Sequence, residues 1–131
     1  MKIALIANSR SRGVSQNKLT PDLEKELKEH KIGFDLLRTQ YHGHAIELVK
    51  QIPMREYDAI VSMGGDGTNF QVLNAVLKYH GDSDLPPLGI LPGGRGNSFA
   101  KDLQIDSVAD GIEAVGRQTT REIEVCRVSL K

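Results

Sequence analysis

The chain has 131 residues, 39% of them hydrophobic and 26% charged, which is the composition of an ordinary globular domain large enough to bury one core. Seventeen Lys and Arg balance seventeen Asp and Glu, so no global field draws the chain to nucleic acid or to an anionic membrane surface, and any attraction for phosphate has to be local. The single Cys excludes an internal disulfide, and no apolar stretch reaches the length of a membrane span.

Lys2 to Asn8 reads as a buried-type strand, and its apolar run, followed at once by Asn, Ser and Arg, falls short of a signal-peptide core. The Ser-, Arg- and Gly-rich stretch after it predicts a loop ending at Thr20-Pro21, a cap followed by a proline whose fixed φ suits a first helical turn. A helix to about His30 carries Leu23 and Leu27 as its apolar stripe, with Gly33 as its stop. Phe34 to Arg38 predicts the second strand. The Thr39 to Gly43 loop then leads into a helix with Ala45, Leu48, Val49 and Ile52 on one face, broken by Pro53. Ala59 to Met63 predicts the third strand, with Met63 in the core, and Thr68 to Lys78 has the apolar spacing of a helix. A loop from Gly81 to Pro87 precedes the fourth strand, Leu88 to Leu91, and short helices follow Asn97 and Ser107. This order predicts an α/β fold, a three-layer sandwich around a mostly parallel sheet, with ligands at the C-terminal ends of the strands. From Arg121 to Lys131 the pattern changes: Ile123 and Val125 alternate, the phase slips across Cys126 and Arg127, and Val128 and Leu130 resume it. That predicts a strand with a bulge or a change of sheet, so residues 1–120 form one domain and 121–131 lead out of it.

The chemistry concentrates in Val61 to Thr68, where an apolar strand ends in Gly64-Gly65-Asp66-Gly67-Thr68. Glycines let backbone N–H groups approach an anion without Cβ interference, and the helix that follows adds unpaired donors and a positive dipole end. The run is not a P-loop, which needs Lys and then Ser or Thr, and not the dinucleotide fingerprint, because Phe70 stands where the third glycine belongs. A carboxylate at Asp66 beside phosphates binds Mg²⁺ directly or through water, or orients an attacking hydroxyl; the bland reading is a turn residue that only caps the helix. The Thr68 hydroxyl likewise donates to a phosphate or caps. Arg10, Arg12 and Arg95 sit in loops beside Ser or Gly, either as phosphate partners or as solvated charges. His42 and His44 have no Cys or carboxylate cluster beside them, which argues against a metal pair.

Gly64 to Thr68 is similar to the GGDGT signature of the diacylglycerol kinase, sphingosine kinase and bacterial lipid kinase family, a signature shared by NAD kinases and nearly by phosphofructokinases. Three further stretches favour the lipid kinases. Asn8 to Gly13 resembles their NPxSG loop, Thr39 with His44-Ala45 their second strand and its helix, and Leu91 to Leu103 their PxGTGNDFAR segment, while Asn74 fits the NG that ends the GGDGT helix. The departures are Ser9 in place of Pro, Gln71 in place of Glu, Arg95 in place of Thr or Ser, and Ser98 in place of Asp.

The resemblance implies the nucleotide domain of an Mg²⁺-dependent lipid kinase, of the NAD kinase and phosphofructokinase fold, which moves the γ-phosphoryl group of ATP to the hydroxyl of diacylglycerol or a sphingoid base. It implies one wall of the nucleotide site from Asn8, Ser9, Arg10, Ser11 and Arg12, and a contact at Thr39. Gly64, Gly65, Asp66, Gly67, Thr68, Asn69 and Gln71 supply the phosphate loop and its helix, and Arg95, Gly96 and Asn97 the opposite wall. Asp66 is then the catalytic and metal-binding residue. It further implies a β-rich second domain beyond about residue 120 that binds most of the acceptor lipid, a cytoplasmic protein with peripheral membrane contact and no nucleic-acid partner, and no turnover by these 131 residues alone. The alternatives are an NAD kinase-like phosphotransferase, which Gly94 to Ala100 fits less well, and a non-catalytic nucleotide-binding module, which Gln71 and Arg95 leave open.

Overall fold

Strand β1, Lys2–Asn8, has residues 3–7 all buried, because helices cover both of its faces. The computed structural model describes residues 1–8, 10, 11, 13–16, 18–81, 85–93 and 97–118, with 98 and 99 by backbone only. Ser9, Arg12, Arg95, Gly96 and the strand expected over 121–131 therefore lie outside the described residues. After β1 the expected loop contains a small antiparallel hairpin, β2 (Val14–Ser15) and β3 (Lys18–Leu19), too short to leave a period in the sequence.

Helix α1, Pro21–Glu29, buries Leu23 and Leu27 as expected. Its stop is not Gly33. Lys31 takes a left-handed φ of 57°, and the chain closes with Ile32 N donating to Leu27 O at 2.9 Å and Lys31 N to Lys28 O at 3.0 Å. Gly33 instead opens β4, Gly33–Thr39. Gly43, at φ 88°, turns the chain into α2, His44–Gln51, whose end leads through a one-turn 3₁₀ segment, Met54–Glu56, to β5, Ala59–Gly64. Helix α3, Asp66–His80, begins two residues before the expected Thr68, so Asp66 belongs to its first turn rather than to the loop. Strand β6, Leu88–Pro92, and helices α4, Ser98–Asp102, and α5, Val108–Gly116, complete the order; Ser107 Oγ caps α5 by accepting from Asp110 N at 3.1 Å.

The main sheet runs β4-β1-β5-β6, all parallel. Its order reverses at β1: the chain goes outward to β4 and returns across β1 to β5 and β6, which opens a crevice beyond the carboxyl ends of β1 and β5. Alternate residues sort the core into two halves. Ile3, Leu5, Ala7, Val61 and Met63 pack with Leu23 and Leu27 of α1 and Ile112 of α5, whereas Ala4, Ile6 and Ile60 pack with Ala45 and Val49 of α2 and Val72, Ala75 and Val76 of α3. This is the three-layer sandwich expected, and Met63 is fully buried within it.

The amino end of the sheet is tied by polar groups. Tyr57 OH donates to Asp35 Oδ2 at 2.6 Å and Lys2 Nζ lies 3.2 Å from the same oxygen. The carboxylate pushes the Tyr57 hydroxyl up to about 12, and the hydroxyl and then Lys2 hold Asp35 below its ordinary value.

Candidate active site

Strand register alone brings the candidate residues to one edge. Asn8 pairs with Thr39, Ala7 with Met63, and Gly64 with Pro92, so the loops after β1, β4, β5 and β6 all leave the sheet on the same side. The last two carbonyls of β5 hold the neighbouring loops. Ser11 Oγ donates to Met63 O at 2.8 Å, and Gly93 N donates to Gly64 O at 3.0 Å. Ser11 is buried, so losing its hydroxyl would leave a buried carbonyl short of a donor, at about 1–3 kcal/mol. Within the first loop Asn8 Oδ1 accepts from Arg10 N and Asn8 O accepts from Ser11 N, both at 2.9 Å, which folds the chain back over the end of β1. The Arg10 side chain is exposed and Thr39 is buried.

At the centre stands the amino end of α3. Gly65 is the residue before its first turn, no side chain caps it, and the first intrahelical bond runs from Asn69 N to Gly65 O at 3.1 Å. The N–H groups of Gly67 and Thr68 therefore have no partner within the helix, at the positive end of a 15-residue dipole. Asp66, as the first helical residue, is not the cap; its side chain is exposed at the crevice. Thr68 folds back over the strand end, where a Cβ on Gly64 would lie 2.7 Å from its Oγ1, so glycine at 64 is what lets the loop close. Gly67 differs. A Cβ there would meet nothing within 4 Å, and its side of the helix end is open to an approaching ligand.

Asn69 is buried under this turn. Its Oδ1 accepts from Ser62 Oγ at 2.8 Å, and its Nδ2 has no hydrogen-bond partner. Gln71 is half-buried one turn further on. Asn97, at φ 52°, starts α4 by accepting from Lys101 N through its carbonyl at 3.0 Å. His44 belongs to a different arrangement: its Nδ1 accepts from Gln40 N at 3.0 Å and its ring stacks on Tyr41 with centroids 4.4 Å apart. Among the described residues no three His, Cys, Asp or Glu side chains gather as a metal cage.

Asn8, Arg10, Ser11, Thr39, Gly64 to Asn69, Gln71 and Asn97 are thus the expected site residues that the structure describes, and strand register and the β5 carbonyls bring the elements of all but Asn97 to one edge. Two participants were not singled out from the sequence. Ser62 ties Asn69 to β5, and its signal was a lone hydroxyl inside Ala-Ile-Val-Ser-Met-Gly; Gly93, after Pro92, supplies the amide that fastens the β6 loop.

The pattern of the diacylglycerol kinase catalytic domain matches residues 2–128. Human sphingosine kinase 2 is 38% identical over 76 residues, which are 56% of this chain and 12% of that protein. Diacylglycerol kinase of Bacillus subtilis is 32% identical over 89 residues, 66% of this chain and 28% of the relative. The crystal structure of a diacylglycerol kinase from Bacillus anthracis strain Sterne superposes with a TM-score of 0.67 at 25% identity, covering 89% of this chain and 42% of the other. The chain spans less than half the length of each of these proteins. With its glycine turn, its uncapped helix end and a pattern match over nearly its whole length, the chain belongs to the diacylglycerol kinase catalytic domain family, the catalytic domain of lipid kinases.

Proposed function

We propose that this domain binds ATP with Mg²⁺ and presents the γ-phosphoryl group to the hydroxyl of a lipid, diacylglycerol or a sphingoid base, held mainly by a second domain. The observation that carries this reading is the uncapped amino end of α3, framed by loops fastened to the last two carbonyls of β5. Such an end offers an anion several N–H donors in fixed positions, and phosphoryl transfer depends mostly on positioning and charge neutralisation. The acceptor oxygen forms its bond to the γ-phosphorus as the bond to the β,γ-bridging oxygen breaks. ADP leaves, and the hydroxyl proton passes to a base that we place in the second domain.

The donor set suits Mg²⁺, which typically takes one or two carboxylates together with substrate phosphates and water rather than a protein cage. Asp66 is the carboxylate that would hold it, directly or through water. When bound, the ion would neutralise charge on the phosphoryl oxygens. We place the protein in the cytoplasm with peripheral membrane contact; among the described residues no helix is long and apolar enough to cross a membrane.

Calorimetric titration with ADP and ATP, with and without Mg²⁺, tests the reading. Weak binding that Mg²⁺ strengthens is expected, and Asp66→Asn is expected to remove most of the Mg²⁺-dependent gain while sparing metal-free binding. No binding at millimolar nucleotide would refute the site, and equal loss with and without metal would make Asp66 a structural residue. The 131 residues alone are expected to bind nucleotide without phosphorylating lipid or NAD, because without the second domain that holds most of the acceptor they lack most of a positioning contribution of up to roughly 7–11 kcal/mol.

A further inference from the structure

Helix α3 is apolar on two sides. Asn69, Val72 and Val76 are buried, while Phe70, Leu73 and Leu77 stand one residue on from them, about 100° round the axis. Phe70 is 69% exposed and Leu77 38%, with Leu73 half-buried between them. Counted from Asp66 the row falls at i, i+4, i+7 and i+11, one continuous helix face that starts at the carboxylate and runs about 16 Å down the helix. A helix packed on a sheet normally turns charged and polar residues outward. Single exposed apolar residues are ordinary, but a row at helical spacing that leads out of the phosphate end is a surface with a direction.

We propose that this stripe is a wall of the acceptor site, contacted by the alkyl chain of the lipid whose hydroxyl stands at the phosphate end of α3. The inference rests on the reading of Asp66 as the place of phosphoryl transfer to a lipid. It follows from continuity: a hydroxyl placed for in-line attack beside Asp66 brings the apolar part of its own molecule against whatever surface adjoins that residue, and Phe70 is one turn away on the same face. The shape of the surface selects the chain over the nucleotide base. A purine ring covers one side chain, whereas the aliphatic Leu73 and Leu77 extend the row for two further turns away from the phosphates.

The protein has no Trp, so Phe70→Trp places a single fluorophore on the stripe. The exposed position accepts the larger ring without repacking. With ADP and Mg²⁺ present, dioctanoylglycerol is expected to shift the Trp emission to the blue, and Leu77→Gln in the same background to weaken the lipid titration about three- to tenfold. Leu77→Trp reports from the far end of the stripe and is expected to shift in the same direction. The proposal is overturned if the lipid leaves both emissions unchanged, if phosphatidylcholine vesicles free of acceptor shift them equally, or if ADP and Mg²⁺ alone produce the full change. Thermal stabilisation of the unsubstituted protein by ADP and Mg²⁺ separates the two levels. Stabilisation without a lipid response removes the stripe and keeps the nucleotide site, whereas no stabilisation removes the reading of the site itself.

Discussion

Alanine at Gly64 and at Gly67, three residues apart in one motif, is expected to change stability in opposite directions. At Gly67 a new Cβ meets nothing within 4 Å, and the residue lies inside the first turn of α3 with an ordinary φ. Replacing a helical glycine by alanine restricts the unfolded chain and favours the folded one, so Gly67→Ala is expected to stabilise the domain by about 0.5–1 kcal/mol. For a chain of this size that is a rise of roughly 2–5 °C in Tm. At Gly64 the same methyl would lie 2.7 Å from Thr68 Oγ1 and 2.8 Å from Thr68 Cβ, a conflict that forces the turn apart at about 1–3 kcal/mol. The functional expectation for Gly67→Ala is the reverse of its effect on stability, because the open space beside its N–H is where a phosphate would approach. Affinity for ADP with Mg²⁺ is expected to fall about tenfold or more while Tm rises, a combination that simple damage to the fold does not produce. Urea denaturation and calorimetric titration of the two variants measure both quantities. A Gly67→Ala protein that binds ADP as well as the unsubstituted one would refute the placement of phosphate at this helix end, and one that is less stable would refute the helix argument.

Two further outcomes follow from polar groups. Ser62→Ala removes the hydroxyl that donates to the buried Asn69 Oδ1 and is expected to destabilise by about 1–2 kcal/mol, whereas Ser62→Ala with Asn69→Leu removes the buried amide as well and is expected to recover most of that loss in urea unfolding. Because the Tyr57 hydroxyl and Lys2 lower the Asp35 carboxyl, its contribution is complete above the unfolded value of 3.8 and is lost as pH falls through the lower folded value. The difference in Tm between the unsubstituted protein and Asp35→Asn is therefore expected at pH 7 and to vanish progressively below pH 3.8, as read by calorimetry across pH.

The strands and long helices were legible because each is a run of apolar residues with one period, as in Ile3 to Ala7 or Ala59 to Met63. The glycine turn between β5 and α3 was legible because glycines directly after an apolar run and before a helical period mark a strand-to-helix connection. What escaped depends on geometry that composition does not encode. Lys31 stops α1 in a left-handed conformation two residues before the glycine that composition marks as the stop, and the β2–β3 hairpin is held by pairing between two dipeptides. Helix α3 starts at Asp66 because glycine is tolerated in a first turn, where the periodicity of apolar residues has not yet begun. The bond from Ser11 to Met63 O joins residues 52 apart in sequence, beyond the reach of any local pattern.

That last bond, with its counterpart from Gly93 to Gly64 O, bears on how the domain folds. Both acceptors belong to the end of β5, a strand that pairs with β1 on one side and β6 on the other, and each pairing is closed by a crossover through a helix. The carboxyl end of the sheet cannot assemble from any short contiguous stretch of chain; it appears only when segments spanning most of the sequence have already been brought together. Local fraying of one loop leaves the carbonyl that holds the other in place, but separation of β5 from its neighbours dismantles both fastenings in a single cooperative opening. The phosphate binding proposed for this end is thereby coupled to the global folding equilibrium, and a partly folded chain would have no partly formed site.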